Sequence, residues 1–365
     1  MKILHITKYF NSHGGIEALT RSICDQLIKK YRKIDVLSFS NKLDKKIKEK
    51  NKIKIINCKT NFNFRSTPIS VQMFNFLNYE IDKYDLVHIT VPNPWPTILL
   101  SLLNKKPKNI IVSWGSDIID QKFLKKIFIP FQNNLLKNAK QILCLSKNYV
   151  NHSNDLKKFK NKIVIIPPII KSINFKKKYT KKKTKISILS VGRLVPYKGF
   201  EQLVETAMSL PDNFTFNIIG EGPLKDDLQR KITENNLSKK VKLHANVNDK
   251  RKNRFFKNAD IFCFPSNTRA ESFGIALLEA INYSLPVIVS NNKGSGMQDM
   301  IVDNYNGYSF KNNSVLDLKK KILKLANDKK KLKLFSVNSK KLFNNRFADK
   351  KIKNKIFKIY NKFQK

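Results

Sequence analysis

Two glutamates eight residues apart stand out as groups that could accept hydrogen bonds from ligand hydroxyls near the start of a helix. They begin and end the segment 271–279, ESFGIALLE, which follows an apolar run at 260–264 and Pro265-Ser266. A helix starting near 272–274 would leave Glu271 just outside its N-terminus and Glu279 two turns inside. Free N–H groups at a helix start can hold a phosphate, and carboxylates accept hydrogen bonds from ribose or sugar hydroxyls. On spacing alone, an amphipathic helix with two exposed glutamates is the favoured alternative.

Two cations lie on the loop 192–199, GRLVPYKG, directly after the apolar run 186–191. Arg193 can bind a diphosphate by paired hydrogen bonds, and Lys198 can act on it as a point charge. In a chain so rich in lysine, any single lysine is most simply explained as surface. Arg193 is less easily explained in that way.

Three glycine-containing loops also follow apolar runs: HGGIE at 13–17, GEGP at 220–223 and NNKGSGMQ at 291–298. Glycine lets the backbone approach a ligand closely, although each loop alone is equally typical of a tight turn. The loop at 220–223 lacks a third glycine and contains Pro223, which excludes a nicotinamide fingerprint. Small-residue loops at the ends of parallel strands, together with the two cations, predict an anion site.

Other chemistries find little support. The cysteines at 24, 58, 144 and 263 form no CxxC pair, and Cys58, Cys144 and Cys263 lie in or beside β-like runs and are expected to be small buried residues, so a structural zinc site is not predicted. Asp226 and Asp227 are adjacent on a predicted helix, so their side chains diverge. We therefore predict no metal site and no bound cofactor.

The elements that must position these residues alternate between short β-branched runs and amphipathic stretches. This alternation predicts an α/β fold of two doubly wound, mostly parallel sheets, with ligands in the cleft between two facing domains. A lysine-rich stretch at 171–185 is interpreted as a solvated linker. The predicted domains are 1–170 and 171–345, with a C-terminal helix at 346–365 packing back on the first. Predicted strands are 2–7, 34–39, 53–58, 85–90, 109–113, 141–145, 163–166, 186–191, 214–219, 241–244, 260–264 and 286–290.

The formal net charge is +45, from 72 basic and 27 acidic residues, and the excess is spread along the whole chain. Compositional bias is the first interpretation, contact with an anionic membrane the second, and nucleic-acid binding the third, because no nucleic-acid-binding module is present. The segment 122–131, KFLKKIFIPF, fits a membrane surface or a core-facing helix equally well. The N-terminus 1–7 predicts a short buried strand instead of a signal peptide, so a cytoplasmic protein is expected.

Together, these motifs resemble retaining glycosyltransferase family 4, also called glycosyl transferases group 1, with the GT-B fold. The resemblance covers nearly the whole chain and adds the segment 286–288 to the motifs above. It implies a metal-independent transferase that moves a hexose-type sugar from a UDP- or GDP-linked donor to a glycan or lipid-linked acceptor. It further implies an acceptor-binding first domain, a donor-binding second domain, and a role in lipopolysaccharide or capsule synthesis at the inner face of the membrane.

The resemblance also implies roles for individual residues. Glu271, Arg193, Lys198 and Asp117 would be catalytic, and Gly15, Gly222, Phe273, Gly274 and Glu279 would help Arg193 and Lys198 to bind the donor. The segment 112–117, VSWGSD, departs from the family because Trp114 or Gly115 replaces a histidine. Asp117 and His88 are the residues expected nearby. This departure leaves a second hypothesis open: an inactive GT-B scaffold that binds sugar nucleotides or glycans.

Overall fold

The computed structural model describes residues 1–11, 14–31, 33–40, 48–50, 53–118, 122–177 and 185–364. The chain divides into two compact units: unit 1 is Met1–Ile169 with Asp349–Lys365, and unit 2 is Ile170–Ala348. His13 of the first glycine loop and residues 178–184 of the lysine-rich stretch lie outside the described residues.

Unit 1 is built on one sheet in the order β10-β9-β8-β7-β1-β2-β4-β3, in which only the β3–β4 pair is antiparallel. A separate two-stranded hairpin, β5–β6, precedes α2. The elements are β1 (Ile3–Ile6), α1 (Gly15–Leu27), β2 (Ile34–Ser40), β3 (Lys48–Lys50), β4 (Ile53–Lys59), β5 (Phe62–Phe64), β6 (Thr67–Ile69), α2 (Val71–Glu80), β7 (Leu86–Val91), α3 (Pro94–Leu102), β8 (Ile110–Trp114), α4 (Lys122–Asn138), β9 (Gln141–Cys144), α5 (Lys147–Asn151) and β10 (Ile163–Ile165).

Unit 2 contains a fully parallel six-stranded sheet in the order β13-β12-β11-β14-β15-β16. The elements are β11 (Ile186–Val191), α6 (Phe200–Met208), β12 (Phe214–Ile219), α7 (Lys225–Glu234), β13 (Val241–His244), α8 (Asp249–Asn258), β14 (Ile261–Phe264), α9 (Ile275–Asn282), β15 (Val287–Asn291), β16 (Gly307–Lys311), α10 (Val315–Ala326) and α11 (Lys329–Arg346). The final helix, α12 (Asp349–Asn361), belongs to unit 1.

The apolar runs of the sequence become the buried centres of both sheets. Every residue of β1, β7 and β14 is buried, as expected for parallel strands covered by helices on both faces. Helix α12 joins the unit 1 core through one stripe of its surface, formed by Ile352, Ile356, Ile359 and Tyr360. Full burial of each such side chain contributes about 1.5–3 kcal/mol, so the stripe holds the C-terminal helix firmly to unit 1.

The predicted α/β fold is confirmed, with one correction in the linker. Residues 171–177 are not a solvated chain, because their backbone is hydrogen-bonded to α9 and to the residues that follow it. The Asn282 side chain donates to Lys171 O at 2.9 Å and accepts from Ile173 N at 3.2 Å. Ser284 donates to Phe175 O at 2.9 Å. The sequence does not predict these contacts, because residues 171, 173 and 175 make them with main-chain atoms, which every residue has.

Candidate functional site

The strand order of unit 2 locates a ligand crevice. The chain runs outward from β11 through β12 to β13, then returns to the other side of β11 and continues through β14, β15 and β16. Ligands of open parallel sheets bind outside the carboxyl ends of the strands where the order reverses in this way. The crevice therefore lies between the loop 192–199 after β11 and the loop 265–274 after β14.

Lys198 and Glu271 meet across this crevice. The Lys198 Nζ donates to Glu271 Oε2, which also accepts from Ser266 Oγ at 3.1 Å. Their side chains are only 12% and 9% exposed, so the ion pair is nearly buried. Lys198 also lies 5.1 Å from the centre of the Phe264 ring. Lys198, which is predicted to bind the diphosphate, and Glu271, which is predicted to contact the donor sugar, are thus directly paired.

Arg193 adds a second cation to the same place. Its side chain is exposed on the loop that carries Lys198. Burial raises the pKa of the Tyr197 hydroxyl, and the charges of Lys198, Glu271 and Arg193 also act on it. Arg193 and Lys198 thus lie on one loop, on either side of Leu194 to Tyr197. Two cations on such a loop can hold the two negative phosphates of a nucleoside diphosphate.

Glycines bring these loops into close backbone contact. Gly199 has a φ of +68°, and a Cβ atom there would lie 2.3 Å from Pro265 O. A Cβ on Gly220 would lie 1.9 Å from Gly192 O, and one on Gly222 would lie 2.4 Å from Leu194 O. No larger residue fits at these positions. The glycines are therefore required by the packing of one loop on another, and donor contact by Gly222 stays a prediction.

Helix α9 begins at Ile275, slightly later than predicted, and its N-terminus faces the crevice loop. Gly274 precedes it with a φ of +96°, and no side chain caps the helix. Phe273 is buried at 2% exposure, which anchors this turn in the core. Ser295 Oγ donates to Glu271 O at 2.6 Å and fixes the turn from the other side. The unpaired N–H groups and the helix dipole favour an anion here.

Glu279 lies apart from Glu271 and has a different partner. Its Oε1 accepts from Lys252 Nζ at 2.8 Å, and Lys252 also approaches Asp249 at 3.3 Å. Burial raises the pKa of Glu279, against the opposing effect of the Lys252 charge. Both residues line a cavity of about 550 Å³ between α8, α9 and residues 170–174. The exposed amphipathic face that spacing alone favoured is therefore wrong for Glu279.

In unit 1, Gly15 begins α1, and Gly14 precedes it without a side-chain cap. The Glu17 carboxylate lies beside Gly14, since a Cβ there would be 1.9 Å from Glu17 Oε2. A carboxylate in the first turn interacts favourably with the helix dipole. It would compete with a phosphate for the same N–H groups. Contact between Gly15 and a donor stays a prediction.

Asp117 is held in place by neighbours in unit 1. Its Oδ1 accepts from Trp114 Nε1 at 3.1 Å and from Ser153 Oγ at 2.7 Å. Trp114 thus orients the carboxylate of the nearly buried Asp117 just after the end of β8. The catalytic role that the resemblance implies for Asp117 stays a prediction.

His88 requires a correction, because it belongs to the core of unit 1. Its ring is fully buried, its Nε2 lies 2.7 Å from Ser113 Oγ, and its Nδ1 contacts the Tyr360 hydroxyl. Both ring nitrogens therefore already have protein partners. His88 cannot replace the missing family histidine without breaking the contact with α12.

The described part of the chain contains no cluster of three or more His, Cys, Asp or Glu side chains arranged to hold a metal ion. All four cysteines are buried and free, as the sequence predicts. Within those same ranges, every helix is too short or too polar to cross a bilayer.

Sequence reasoning missed the residues that support the site. Ser266, Ser295, Tyr197 and Lys252 hold or surround the predicted residues, yet none was assigned a role. Ser266 and Ser295 lie in segments already noted, directly after strands, where a short hydroxyl can brace a loop. Nothing in the sequence distinguishes Lys252 from the many other lysines of the chain.

Comparison with known proteins finds glycosyltransferase families and relatives. Residues 171–342 match the family described as glycosyl transferases group 1, and residues 8–146 match the family described as glycosyl transferase 4-like. The O-antigen chain mannosyltransferase C of Escherichia coli is 28% identical over 356 residues, covering 95% of each chain. The D-rhamnosyltransferase WbpZ of Pseudomonas aeruginosa is 26% identical over 300 residues, covering 80% of this chain and 77% of the relative.

The fold is shared with solved glycosyltransferase structures. Anabaena HepE in complex with UDP and glucose superposes with a TM-score of 0.78 at 17% identity, over 99% of this chain and 100% of that one. Two Rossmann-like sheets with a crevice at the carboxyl ends of the strands define the GT-B type. The chain belongs to the glycosyltransferases of this type, and its second unit carries the group 1 motifs.

Proposed function

We propose that the protein is a retaining, metal-independent transferase of family 4. It moves a hexose-type sugar from a UDP- or GDP-linked donor to a glycan or lipid-linked acceptor during synthesis of lipopolysaccharide or capsule. The observation that carries this proposal is the Lys198–Glu271 pair, with Arg193 beside it, at the switch point of unit 2. The names of the relatives, an O-antigen mannosyltransferase and a D-rhamnosyltransferase, support the polysaccharide context.

The proposed chemistry depends on stabilising the leaving group. As the bond between the sugar C1 and the β-phosphate oxygen breaks, negative charge grows on the diphosphate. Arg193 and Lys198 would neutralise that charge, and the N-terminus of α9 at Gly274 would add backbone N–H donors. The acceptor hydroxyl oxygen bonds to C1, and its proton passes to the departing oxygen of the diphosphate. Arg193 and Lys198 would thus supply the positive charge that a divalent metal ion supplies in other transferases.

Donor binding would exchange the partners of one ion pair. Lys198 turns toward the diphosphate, which releases Glu271 for the sugar hydroxyls. Glu279 faces the 550 Å³ cavity and would accept from the ribose hydroxyls while it stays bound to Lys252. Phe273, Gly222 and Gly15 complete the proposed donor contacts, and Asp117 fixes the end of β8 near the acceptor.

Thermal shift with a set of UDP- and GDP-sugars tests donor binding, because a ligand that binds only the folded state raises the melting temperature. We expect a shift with one nucleotide series, and its loss in Lys198→Met. Lys225→Met is the matched control, since Lys225 is an exposed lysine of the same unit, 3.8 Å from Glu221. A shift that is equal in both variants would remove Lys198 from the site.

Release of nucleoside diphosphate with an acceptor extract separates an enzyme from an inactive scaffold. A transferase releases the diphosphate, and Glu271→Gln releases at least tenfold less, as expected when a transition-state contact worth about 1.4 kcal/mol is lost. A scaffold binds the donor and releases nothing. Full turnover by Lys198→Met and Glu271→Gln would refute the roles assigned to both residues.

Contact with an anionic membrane is also part of the proposal, at a different surface from the predicted one. In α4, Phe128 is buried at 7% exposure and Lys125 is paired with Asp155 at 2.8 Å. The β5–β6 hairpin fits better, because Phe62 and Phe64 are 60% and 53% exposed on one side of β5 and Arg65 follows at the tip. Exposed aromatic and basic side chains together suit an anionic lipid surface.

A further inference from the structure

A groove in unit 1 has the composition of a saccharide site. It encloses about 420 Å³ between strand β4 and helix α2, a volume within the range of small-ligand sites. It lies in unit 1, whereas the Lys198–Glu271 and Lys252–Glu279 ion pairs of the proposed donor site lie in unit 2. Nothing in the donor chemistry described above uses it.

One face of each element forms the groove. Gln72, Asn75, Phe76 and Tyr79 recur at positions i, i+3, i+4 and i+7 of α2, which places them along one side of the helix. Lys54, Ile56 and Cys58 alternate along β4, so they share one face of the sheet. Asn57 and Glu80 complete the lining.

The lining combines aromatic rings with amides. Phe76 packs against the unit 1 core and forms the floor, whereas the Tyr79 ring is 66% exposed at the rim. Gln72 Oε1 accepts from Lys59 N at 3.0 Å, which orients the amide and turns its N–H donors to other acceptors. An exposed ring offers an apolar face to the C–H side of a pyranose, and amides bind its hydroxyls.

Among the described residues, the lining of the groove carries no cluster of cations. Lys54 is the one lysine among these described lining residues, and the Glu80 carboxylate, also in the lining, is paired with Lys83 Nζ at 2.6 Å. A phosphate or an acidic lipid headgroup would therefore meet a single lysine and the Glu80 carboxylate. A neutral, hydroxyl-rich ligand meets no such cost. The chemistry therefore favours a neutral oligosaccharide of one to a few units.

The direction of the strands relates the groove to the reaction. β4 runs parallel to β2, which runs parallel to β1, so Cys58 and Gln72 lie toward the carboxyl edge of the unit 1 sheet. We propose that this groove binds the neutral saccharide part of the acceptor, beyond the sugar that receives the transferred residue. The assignment to the acceptor rests on the proposed function, whereas saccharide binding itself does not.

Saturation-transfer NMR on the full chain tests the groove with millimolar mannobiose, maltose and chitobiose as probes. We expect transfer from protein to at least one disaccharide, with a tenfold or greater loss of affinity in Tyr79→Ala and in Gln72→Ala. Both residues are partly or largely exposed, so these variants should fold. Phe74→Ala is the matched control, because Phe74 is a 41% exposed aromatic residue on the same helix outside the groove lining.

The outcomes separate this inference from the proposed function. Loss of saccharide binding in Lys198→Met, with retention in Tyr79→Ala, would place the sugar in the donor site and overturn the groove. No saturation transfer from any probe, or an equal loss in Phe74→Ala, would also overturn it. Saccharide binding that depends on Tyr79 in a protein that binds no nucleotide sugar would support the groove and refute the transferase.

Discussion

Lys198 and Glu271 form a pair whose stability role and functional role have to be separated. Both side chains are about nine-tenths buried. Removing one partner of such a pair leaves an uncompensated buried charge, which costs about 3–5 kcal/mol. Loss of activity in a single variant at either position could therefore reflect unfolding. A double variant without either charge leaves no unpaired charge in the interior, but it also lacks the two groups proposed to act in transfer.

A double-mutant cycle makes that separation. We expect Lys198→Met alone to lower the free energy of unfolding by about 3–5 kcal/mol. The double variant Lys198→Met/Glu271→Gln should recover most of this loss, because no charge stays buried without a partner. Urea denaturation measures stability, and nucleotide release measures transfer. A double variant that regains transfer together with stability would show that the pair is only structural.

At the scale of elements, the sequence predicted most strands of the two sheets but few of the residues that hold the site in place. The runs 34–39 and 214–219 predict their strands to within about a residue, because strands of a helix-covered parallel sheet are mostly apolar, even where Asp35 or Thr215 interrupts the run. β3, β5, β6 and β16 were not predicted. In β5, three exposed residues, Phe62–Phe64, carry no burial pattern. The motif loops predicted the site, but the Glu279–Lys252 pair needs the packing of α8 on α9 to appear.

The segment 171–175 depends on one amide in α9. Besides its two bonds to that segment, Asn282 accepts from Lys340 Nζ through its backbone O at 2.8 Å and through its Oδ1 at 3.0 Å. Burial lowers the pKa of Lys340 to about 8, so its ammonium group is still largely protonated at neutral pH. This contact fixes one wall of the cavity that Glu279 faces.

We expect Asn282→Ala to lower the free energy of unfolding by about 1–3 kcal/mol, because it leaves buried polar groups without partners. Amide hydrogen exchange at Ile173 should quicken in the same variant. Asn235→Ala is the control, since that exposed amide bonds only to Lys231 O at 2.8 Å on its own helix. Unchanged protection of Ile173 would contradict the proposed anchoring.

At the scale of the whole molecule, buried histidines make stability depend on pH. His5 and His88 lie in the unit 1 core with ring centres 4.2 Å apart, surrounded by Cys24, Thr90 and Tyr360. Burial lowers the pKa of His5 to about 3. Burial, and then the neighbouring His5, lower the pKa of His88 well below 6.5. Both rings are therefore neutral in the folded state.

The sign of the pH effect follows from this difference. Below pH 6.5 the unfolded chain binds protons that the folded chain does not, so stability is lost as pH falls from 6.5 toward about 3. Each imidazole contributes a slope of about 1.4 kcal/mol per pH unit in that window. Urea denaturation between pH 7 and pH 5 measures the loss. A flat profile would contradict neutral, buried histidines.

The charge of +45 acts on any anionic surface through a field that salt screens beyond about 8 Å under physiological conditions. We expect the protein to float with anionic vesicles and the double variant Phe62→Ser/Phe64→Ser to float much less. Leu316→Ser is the control, because Leu316 is 79% exposed in unit 2. Equal flotation of both variants would exclude the hairpin as the membrane contact.

The central claim is that cations at the strand ends of unit 2 hold the diphosphate of a donor. A crystal structure of the protein with UDP and another with GDP test it most directly. In one of them we predict that Lys198 Nζ and the Arg193 guanidinium lie about 2.7–3.2 Å from phosphate oxygens, with Lys198 turned away from Glu271. Lys198 still bound to Glu271, with the nucleotide elsewhere or absent, would contradict the account.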